Sequence, residues 1–434
     1  MKRMIRQLAA LLLACQLFVI TAYGKPDWPN DVGILAESGI VMDMDSGAVL
    51  YGQNIHVAHP PASITKILTA LVVLENCQLD EMVEFSETAV NSVESDSGNK
   101  LGSVAGDQLS VEDCLYGMML VSSNQAANAL AEHVAGSISG FVDLMNEKAA
   151  ELGCEESHFD NPSGLNGDTQ YVTAYDMALI SQAAYSNETL LEISSTLSRK
   201  LGPTANYPGG ITVENEHRLL NPNDEFYYSA AKAGKTGYLQ AAGNTLVTYA
   251  EQDGRRLVSV ILRGQPRQYF TDSRNLLEFG FRSFQNVSPA ETESRYVTGD
   301  EILNLERGDF ACSDLMIDPD GAVTLPLGAS LDDADVTVGS LPEGSPARAV
   351  AQMTYTYNDR VVGTAWLTAK DGVELPGEPE MEDPSAADQP GSQEPETEPV
   401  SSEPEETAGR GGISAGPAVG VALVLVVAAL AAGA

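Results

Sequence analysis

The 434-residue chain is expected to fold as an α+β unit followed by a small all-β domain. Two observations predict this. Within the first 285 residues, strand-period apolar runs lie at both ends and helix-period runs cluster between them. Beyond about Asn286 the helical period stops, and short β-rich runs alternate with turn dipeptides. The length suits two or three domains with a large core.

Taken in order, 32–51 alternates apolar and polar residues and breaks at Asp45-Ser46-Gly47, which reads as a hairpin. Pro60 and Pro61 stop what precedes them. Ile64, Ile67, Leu68 and Leu71 then recur at helical spacing, so a helix starts at or near Ser63. Residues 75–84 read as a turn and short strand. Residues 110–132 read as helix, break, helix, with the break at Val121-Ser122-Ser123-Asn124. Helices are expected at 139–152 and 176–186, strands at 244–251 and 256–263, and a closing helix at 273–281. This unit is assigned 25–285. The β-rich domain, 286–370, has turns at Asp318-Pro319-Asp320-Gly321 and Asn358-Asp359, with 353–357 and 361–367 paired as a hairpin.

The two ends differ from the body. Lys2, Arg3 and Arg6 precede an apolar run at 8–21 and the small-residue site Ala22-Tyr23-Gly24, so 1–24 reads as a secretory signal peptide. The alternatives are an uncleaved anchor and a lipoprotein signal at Leu12-Leu13-Ala14-Cys15. Residues 413–434 are uncharged, and at helical rise they would span about 33 Å, enough for a transmembrane anchor; a buried core helix is the alternative. Residues 371–412 are rich in Pro and Glu and too poor in apolar groups to fold, so they read as an acidic stalk on the order of 35 Å long. The expected location is outside the cytoplasmic membrane, held to its outer face by the C-terminal segment. The net charge of −37 argues against a nucleic-acid partner. Cys15 leaves with the signal. Cys77, Cys114, Cys154 and Cys312 show neither C-x-x-C nor a dense framework, and are expected as buried thiols with at most one bridge.

His56, His59, His133, His158 and His217 include no H-E-x-x-H and no metal-ligand spacing, and His56 and His59 read as exposed. No metal or cofactor is expected. No G-x-S-x-G elbow or Gly-rich phosphate loop occurs. What remains is Ser63-x-x-Lys66, one turn apart at a helix start. By itself this fits a capping serine and a solvated lysine as well as a nucleophile and its base. Ser122-Ser123-Asn124 at a helix break and Lys235-Thr236-Gly237 at a strand start follow it in order. The ordered set S-x-x-K, S-x-N, K-T-G marks class A β-lactamases and penicillin-binding proteins.

The chain resembles the low-molecular-mass penicillin-binding proteins that are serine D-Ala-D-Ala carboxypeptidases, of the penicillin-binding protein 5 type. The resemblance runs from about Gly33 to Leu367. It includes PASITKILTALVVLE, LYGMMLVSSNQAANALAEHVAGS, FDNPSGL, QYVTAYDMALI and AGKTGYLQAAGNTLV. It implies a β-lactamase/transpeptidase-like domain, an antiparallel sheet with a helical cluster, and a trailing β domain. It also implies hydrolysis of peptidoglycan stem peptides ending in D-Ala-D-Ala and acylation by β-lactam antibiotics. Ser63 would be the nucleophile, Lys66 a neutral base, Ser122 a proton relay, and Asn124 a ligand of Lys66 and the substrate amide. Lys235 and Thr236 would bind the substrate carboxylate, with Gly237 letting the strand come close. The Ser63 and Tyr238 backbone N–H groups would form the oxyanion hole. Gln125 stands where the family commonly has Asp, and Tyr238-Leu239 follow the third motif. Tyr269-Phe270 replaces a frequent Arg-Phe, with Arg267 two residues earlier as a carboxylate ligand. The alternatives are a β-lactamase, for which Glu216 is badly spaced as a deacylating residue, and a non-enzymatic wall-binding protein.

Overall fold

The computed structural model describes residues 24–30, 32–93, 98–165, 167–342 and 344–375. The expected signal peptide up to residue 23, most of the stalk and the C-terminal anchor segment lie outside them. Among the described residues no helix is long and apolar enough to cross a membrane.

Ser38–Asp43 (β1) and Val49–Gln53 (β2) form the expected hairpin. The helices that follow are Lys66–Asn76 (α1), Val111–Leu120 (α2), Asn124–Ala135 (α3), Ile138–Glu151 (α4) and Ala174–Ser186 (α5). The caps of α2 to α5 are local chemistry: Ser110, Ser123, Ser137 and Thr173 each accept a first-turn backbone N–H that has no partner within its helix. The chain then returns to the sheet as Ala231–Leu239 (β3), Gly243–Gln252 (β4) and Arg255–Gly264 (β5), before Gln268–Ser283 (α6). The sheet order is β2-β1-β5-β4-β3, antiparallel throughout.

The sheet is the middle layer of three. Along β5, Val258, Val260 and Leu262 pack with the helical cluster, whereas Leu257 and Ile261 pack with Leu276, Leu277 and Phe279 of α6. Both faces are buried, so the period-2 alternation decides which layer a side chain joins rather than whether it meets water. α6 starts five residues ahead of the expected 273, because Arg267 turns the chain at φ +66° and the first helical turn seats Phe270 in the core. The helices Glu87–Asn91 and Glu188–Ser195 and the paired strands Ser198–Lys200 and Thr212–Glu214 were not expected; they are too short to show a period.

The second domain starts directly after α6. Phe284–Val287 (β6), Leu315–Ile317 (β7), Ala322–Pro326 (β8), Asp335–Gly339 (β9), Ala349–Tyr357 (β10) and Arg360–Ala369 (β11) form a sheet of order β6-β8-β11-β10-β9, with β7 on β11. The expected hairpin is β10–β11, turning through Asn358 and Asp359, both at positive φ. The fold continues past residue 370, with Leu375 buried against the β-domain core.

Two smaller expectations are corrected. His59 is buried, not exposed: its ring is 2.8 Å from Ser38 Oγ and its backbone bridges to Val172. Cys77 is only partly buried, whereas Cys114, Cys154 and Cys312 are buried; all four are free thiols.

The joint between the domains has a polar part beside the packing of Trp28 and Phe279 on Phe284. Asp43, fully buried, accepts from Arg255 (3.0 Å) and Asn286 (3.1 Å), and Arg255 also donates to the Gly280 and Phe284 carbonyls. Removing the guanidinium would strand a buried carboxylate. Arg255→Ala is therefore expected to lower stability by roughly 3–5 kcal/mol in urea denaturation at neutral pH; a change within 0.5 kcal/mol of zero would contradict this reading.

Candidate active site

Pro61 is pinned from behind, its carbonyl accepting from Thr245 Oγ1 of β4 at 2.9 Å. Ala62 then takes φ +51°, and Ala62–Thr65 form a 3-10 turn that runs into α1 at Lys66. Ser63 thus sits at the helix start, as expected, in a 3-10 turn just ahead of the α-helix. The tighter turn matters, because 3-10 geometry eclipses side chains at i and i+3, and Ser63 and Lys66 are three apart.

Lys66 is fully buried. Its Nζ is hydrogen-bonded to Ser63 Oγ (2.9 Å), Asn124 Oδ1 (2.8 Å) and the Ser163 carbonyl (2.6 Å). Burial, and then the Lys235 cation, hold this amine well below the usual lysine range, with Glu216 acting weakly the other way. Ser163 belongs to the tight loop inside FDNPSGL. There Asn161 Oδ1 accepts from the N–H groups of Ser163 and Gly164, and Pro162 O accepts from Thr69 Oγ1. Gly164, at φ +78°, is required by contact as well as conformation: a Cβ would lie 1.9 Å from the Ala62 carbonyl oxygen.

Ser122 and Asn124 occupy the expected break between α2 and α3. Ser122 sits at φ +61°, uncommon for a non-glycine residue, and Ser123 caps α3 so that Asn124 opens the helix facing Lys66. Among the described residues none hydrogen-bonds the Ser122 hydroxyl, which lines the cleft. Gln125 is buried and reaches back to the Gly98 carbonyl, so it braces a loop.

Lys235, Thr236, Gly237 and Tyr238 lie on β3. At Gly237 a Cβ would lie 2.8 Å from the Ser63 backbone nitrogen and 2.4 Å from Thr245 Oγ1, so the strand passes Ser63 at a distance only glycine permits. Lys235 is buried, with Nζ donating to the Thr236 carbonyl, and burial brings it down to about 8 against the opposing pull of Glu216. His217 supports β4 behind it, with Nε2 3.1 Å from both the Val247 carbonyl and Thr248 Oγ1; burial takes this ring down to about 4, so it is neutral at pH 7.

Ser63, Ser122, Asn124, Thr236, Gly237 and Tyr238 line one cleft of about 1010 Å³, whereas Lys66 and Lys235 are buried and are not among its lining residues. Ser63 is at its base, Ser122 and Asn124 on the helical side and Thr236 to Ala241 on the strand side; Tyr238 is 66% exposed at the rim. Lys100 and Glu216, ion-paired at 3.0 Å, also line it, as do Leu165, Arg218, Tyr269 and Phe270. Glu216, set aside in the sequence for its spacing, is therefore a cleft residue. Arg267 is not among the lining residues; its guanidinium pairs with Glu225 at 2.8 Å and lies over Phe226. Lys100, Arg218 and the Ser163 carbonyl carry no local motif. The one available signal for the last was the Asn-Pro-x-Gly turn chemistry of 161–164.

Residues 25–265 match the family model described as D-alanyl-D-alanine carboxypeptidase, peptidase family S11. The chain is 37% identical over 264 residues to D-alanyl-D-alanine carboxypeptidase DacB2 of Mycobacterium tuberculosis, covering 59% of this chain and 84% of that one. It is 32% identical over 348 residues to D-alanyl-D-alanine carboxypeptidase DacA of Escherichia coli K12, covering 76% and 82% respectively. Among solved structures, penicillin binding protein 6B from Escherichia coli shares the fold over 80% of this chain and 99% of its own, with TM-score 0.59 at 24% identity. Matched over more than half its length by that model, the chain belongs to the D-alanyl-D-alanine carboxypeptidase family of serine peptidases.

Proposed function

We propose that this chain is a serine D,D-carboxypeptidase that removes the terminal D-alanine from peptidoglycan stem peptides through an acyl-enzyme on Ser63, and that β-lactams acylate the same serine. The observation that carries the assignment is the environment of Lys66: a buried amine 2.9 Å from Ser63 Oγ, with two further acceptors already in place. A neutral amine has two N–H groups and one lone pair. Asn124 Oδ1 and the Ser163 carbonyl take the N–H groups, which leaves the lone pair for the Ser63 proton. Family membership supports this reading over a β-lactamase or a non-enzymatic wall protein.

Ser63 Oγ attacks the carbonyl carbon of the D-Ala-D-Ala bond as Lys66 takes its proton. The developing oxyanion is received by the backbone N–H groups of Ser63 and Tyr238, each such donor being worth about 3 kcal/mol. Ser122 passes the proton from the lysine side to the leaving amine nitrogen, the C–N bond breaks, and D-alanine departs. Water, deprotonated by Lys66, then releases the shortened peptide. Lys235 and Thr236 hold the substrate carboxylate and Asn124 its amide. Arg267, occupied by Glu225, is left out of this assignment. In a β-lactam the leaving nitrogen stays tethered to the acyl group, so deacylation is slow.

The segments outside the described residues complete the proposal. A basic start, an apolar run and Ala22-Tyr23-Gly24 support export, and the uncharged run 413–434 behind an acidic stalk supports anchoring at the outer face of the cytoplasmic membrane.

Three outcomes are expected. Wild type releases D-alanine from a stem-peptide mimic and takes a fluorescent penicillin covalently, whereas Ser63→Ala does neither; label remaining on Ser63→Ala would sink the assignment. Acylation requires Lys66 neutral and Lys235 charged. kcat/KM should therefore rise with pH through the lowered Lys66 titration and fall again near pH 8 as Lys235 loses its proton, a bell checked by initial rates across pH 5–10. Deleting 413–434 should move the expressed protein from the membrane pellet to the soluble fraction with D-alanine release intact.

A further inference from the structure

Three donor side chains from two stretches of the chain meet at the far ends of two helices that begin at the cleft. Cys77 is the C-cap of α1, Glu81 lies in the turn that leads into Met82–Glu84, and His133 is in the last turn of α3. Each offers one ligand atom, and the sulfur, the carboxylate oxygen and the ring nitrogen all lie within 4.8 Å of one another. His133 Nε2 is 2.9 Å from Glu81 Oε2, while Glu81 Oε1 accepts the Gln78 backbone N–H at 2.6 Å. The carboxylate is therefore already oriented, with the oxygen nearer the histidine turned inward. Cys77 is a free thiol and, among the described cysteines, the one that is not fully buried. The proposed peptidase chemistry uses none of these residues.

We infer that Cys77, Glu81 and His133 form a site for one thiophilic divalent cation of the zinc class. Thiolate, imidazole and carboxylate are the donors that Zn²⁺ takes, at about 2.3, 2.0 and 2.1 Å, with a tetrahedral preference. Ligand atoms around such an ion lie roughly 3.5 Å apart, so side-chain rotation of about an ångström closes the present spacing. The three protein ligands leave a fourth position for water. A sulfur donor among only three ligands disfavours Ca²⁺ and Mg²⁺, which take more numerous oxygen ligands. A cation seated between the sulfur and the Glu81 carboxylate would bind the thiolate and release its proton. Glu81 is held by the Gln78 backbone N–H, the kind of outer support that orients a metal ligand.

The site would tie α1 to α3, which pack against each other. At helical rise its position is about 16 Å from Lys66 along α1 and about 14 Å from Asn124 along α3. A bound ion would thus join the two helices whose opposite ends carry the base and its asparagine.

The test is metal binding by the full chain under reducing conditions, with Co²⁺ as the spectroscopic probe, Zn²⁺ as competitor, and Ca²⁺ and Mg²⁺ as hard-cation controls. One Co²⁺ per chain is expected, with a thiolate-to-cobalt charge-transfer band in the near ultraviolet that Zn²⁺ abolishes. Zn²⁺ at a hundredfold excess over Kd should raise Tm by roughly 5 °C, and Ca²⁺ and Mg²⁺ should leave it unchanged. Cys77→Ser should lose the band, and Glu81→Gln and His133→Gln should each weaken binding at least tenfold, with unchanged circular dichroism showing that the variants fold. Failure to bind one equivalent overturns the proposal. So does a band that survives in Cys77→Ser, or binding unchanged in His133→Gln, which would mark adventitious capture by a thiol.

Discussion

The site is built on one electrostatic problem, a lysine amine buried in the protein. A charged Lys66 inside the protein would be costly. The fold answers by surrounding the amine with acceptors, while burial and the Lys235 cation hold its titration well below the usual lysine range. Ser63 comes from a 3-10 turn, Asn124 from a helix start and Ser163 from a loop nearly 40 residues further on. The turn, the helix break and the loop are all constrained by one another, down to Gly164, whose missing Cβ makes room for the Ala62 carbonyl.

A second lysine makes the arrangement asymmetric. Lys235 is also buried, but it lies nearer the opposing charge balance of Glu216 and Lys100 and is brought down only to about 8. Its charge in turn helps hold Lys66 low. Two identical side chains are thereby held at different points on the pH scale by their surroundings, which is what the proposed division into a base and an anion-binding cation requires. β3 carries the second lysine, and Gly237 brings that strand against the Ser63 backbone. The central sheet, buried on both faces, is the rigid body on which this approach is set.

The trailing β domain is joined to the same sheet through the β1–β2 turn. Asp43 and Ser46 at that turn meet Arg255, Asn286 and Thr324 in a polar network, beside an apolar seam in which Trp28 and Phe279 pack on Phe284. The network lies beside the hairpin that opens the catalytic unit and begins at the strand directly after α6.

Much of the molecule was legible from local patterns. The helices at 110–132, 139–152 and 176–186, the hairpins at either end and the three ordered motifs depend on period, capping and turn chemistry, all of which act within a few residues. Ser63, Lys66, Ser122, Asn124 and Lys235 could be singled out as candidates because their motifs are contiguous, and the fold brings Ser63 and Asn124 onto the Lys66 amine. Long-range contacts decided the rest. The Ser163 carbonyl, the cleft positions of Lys100, Glu216 and Arg218, the diversion of Arg267 to Glu225 and the burial of His59 on Ser38 depend on segments brought together by the sheet. A backbone carbonyl has no residue type to read, and an ion pair across 116 residues leaves no spacing in the chain. The amino-acid order thus carried the reagents and the local frames that present them. Their distances, their dryness and the resulting protonation states came from packing, because dielectric environment is a property of what surrounds a group and not of its neighbours in sequence.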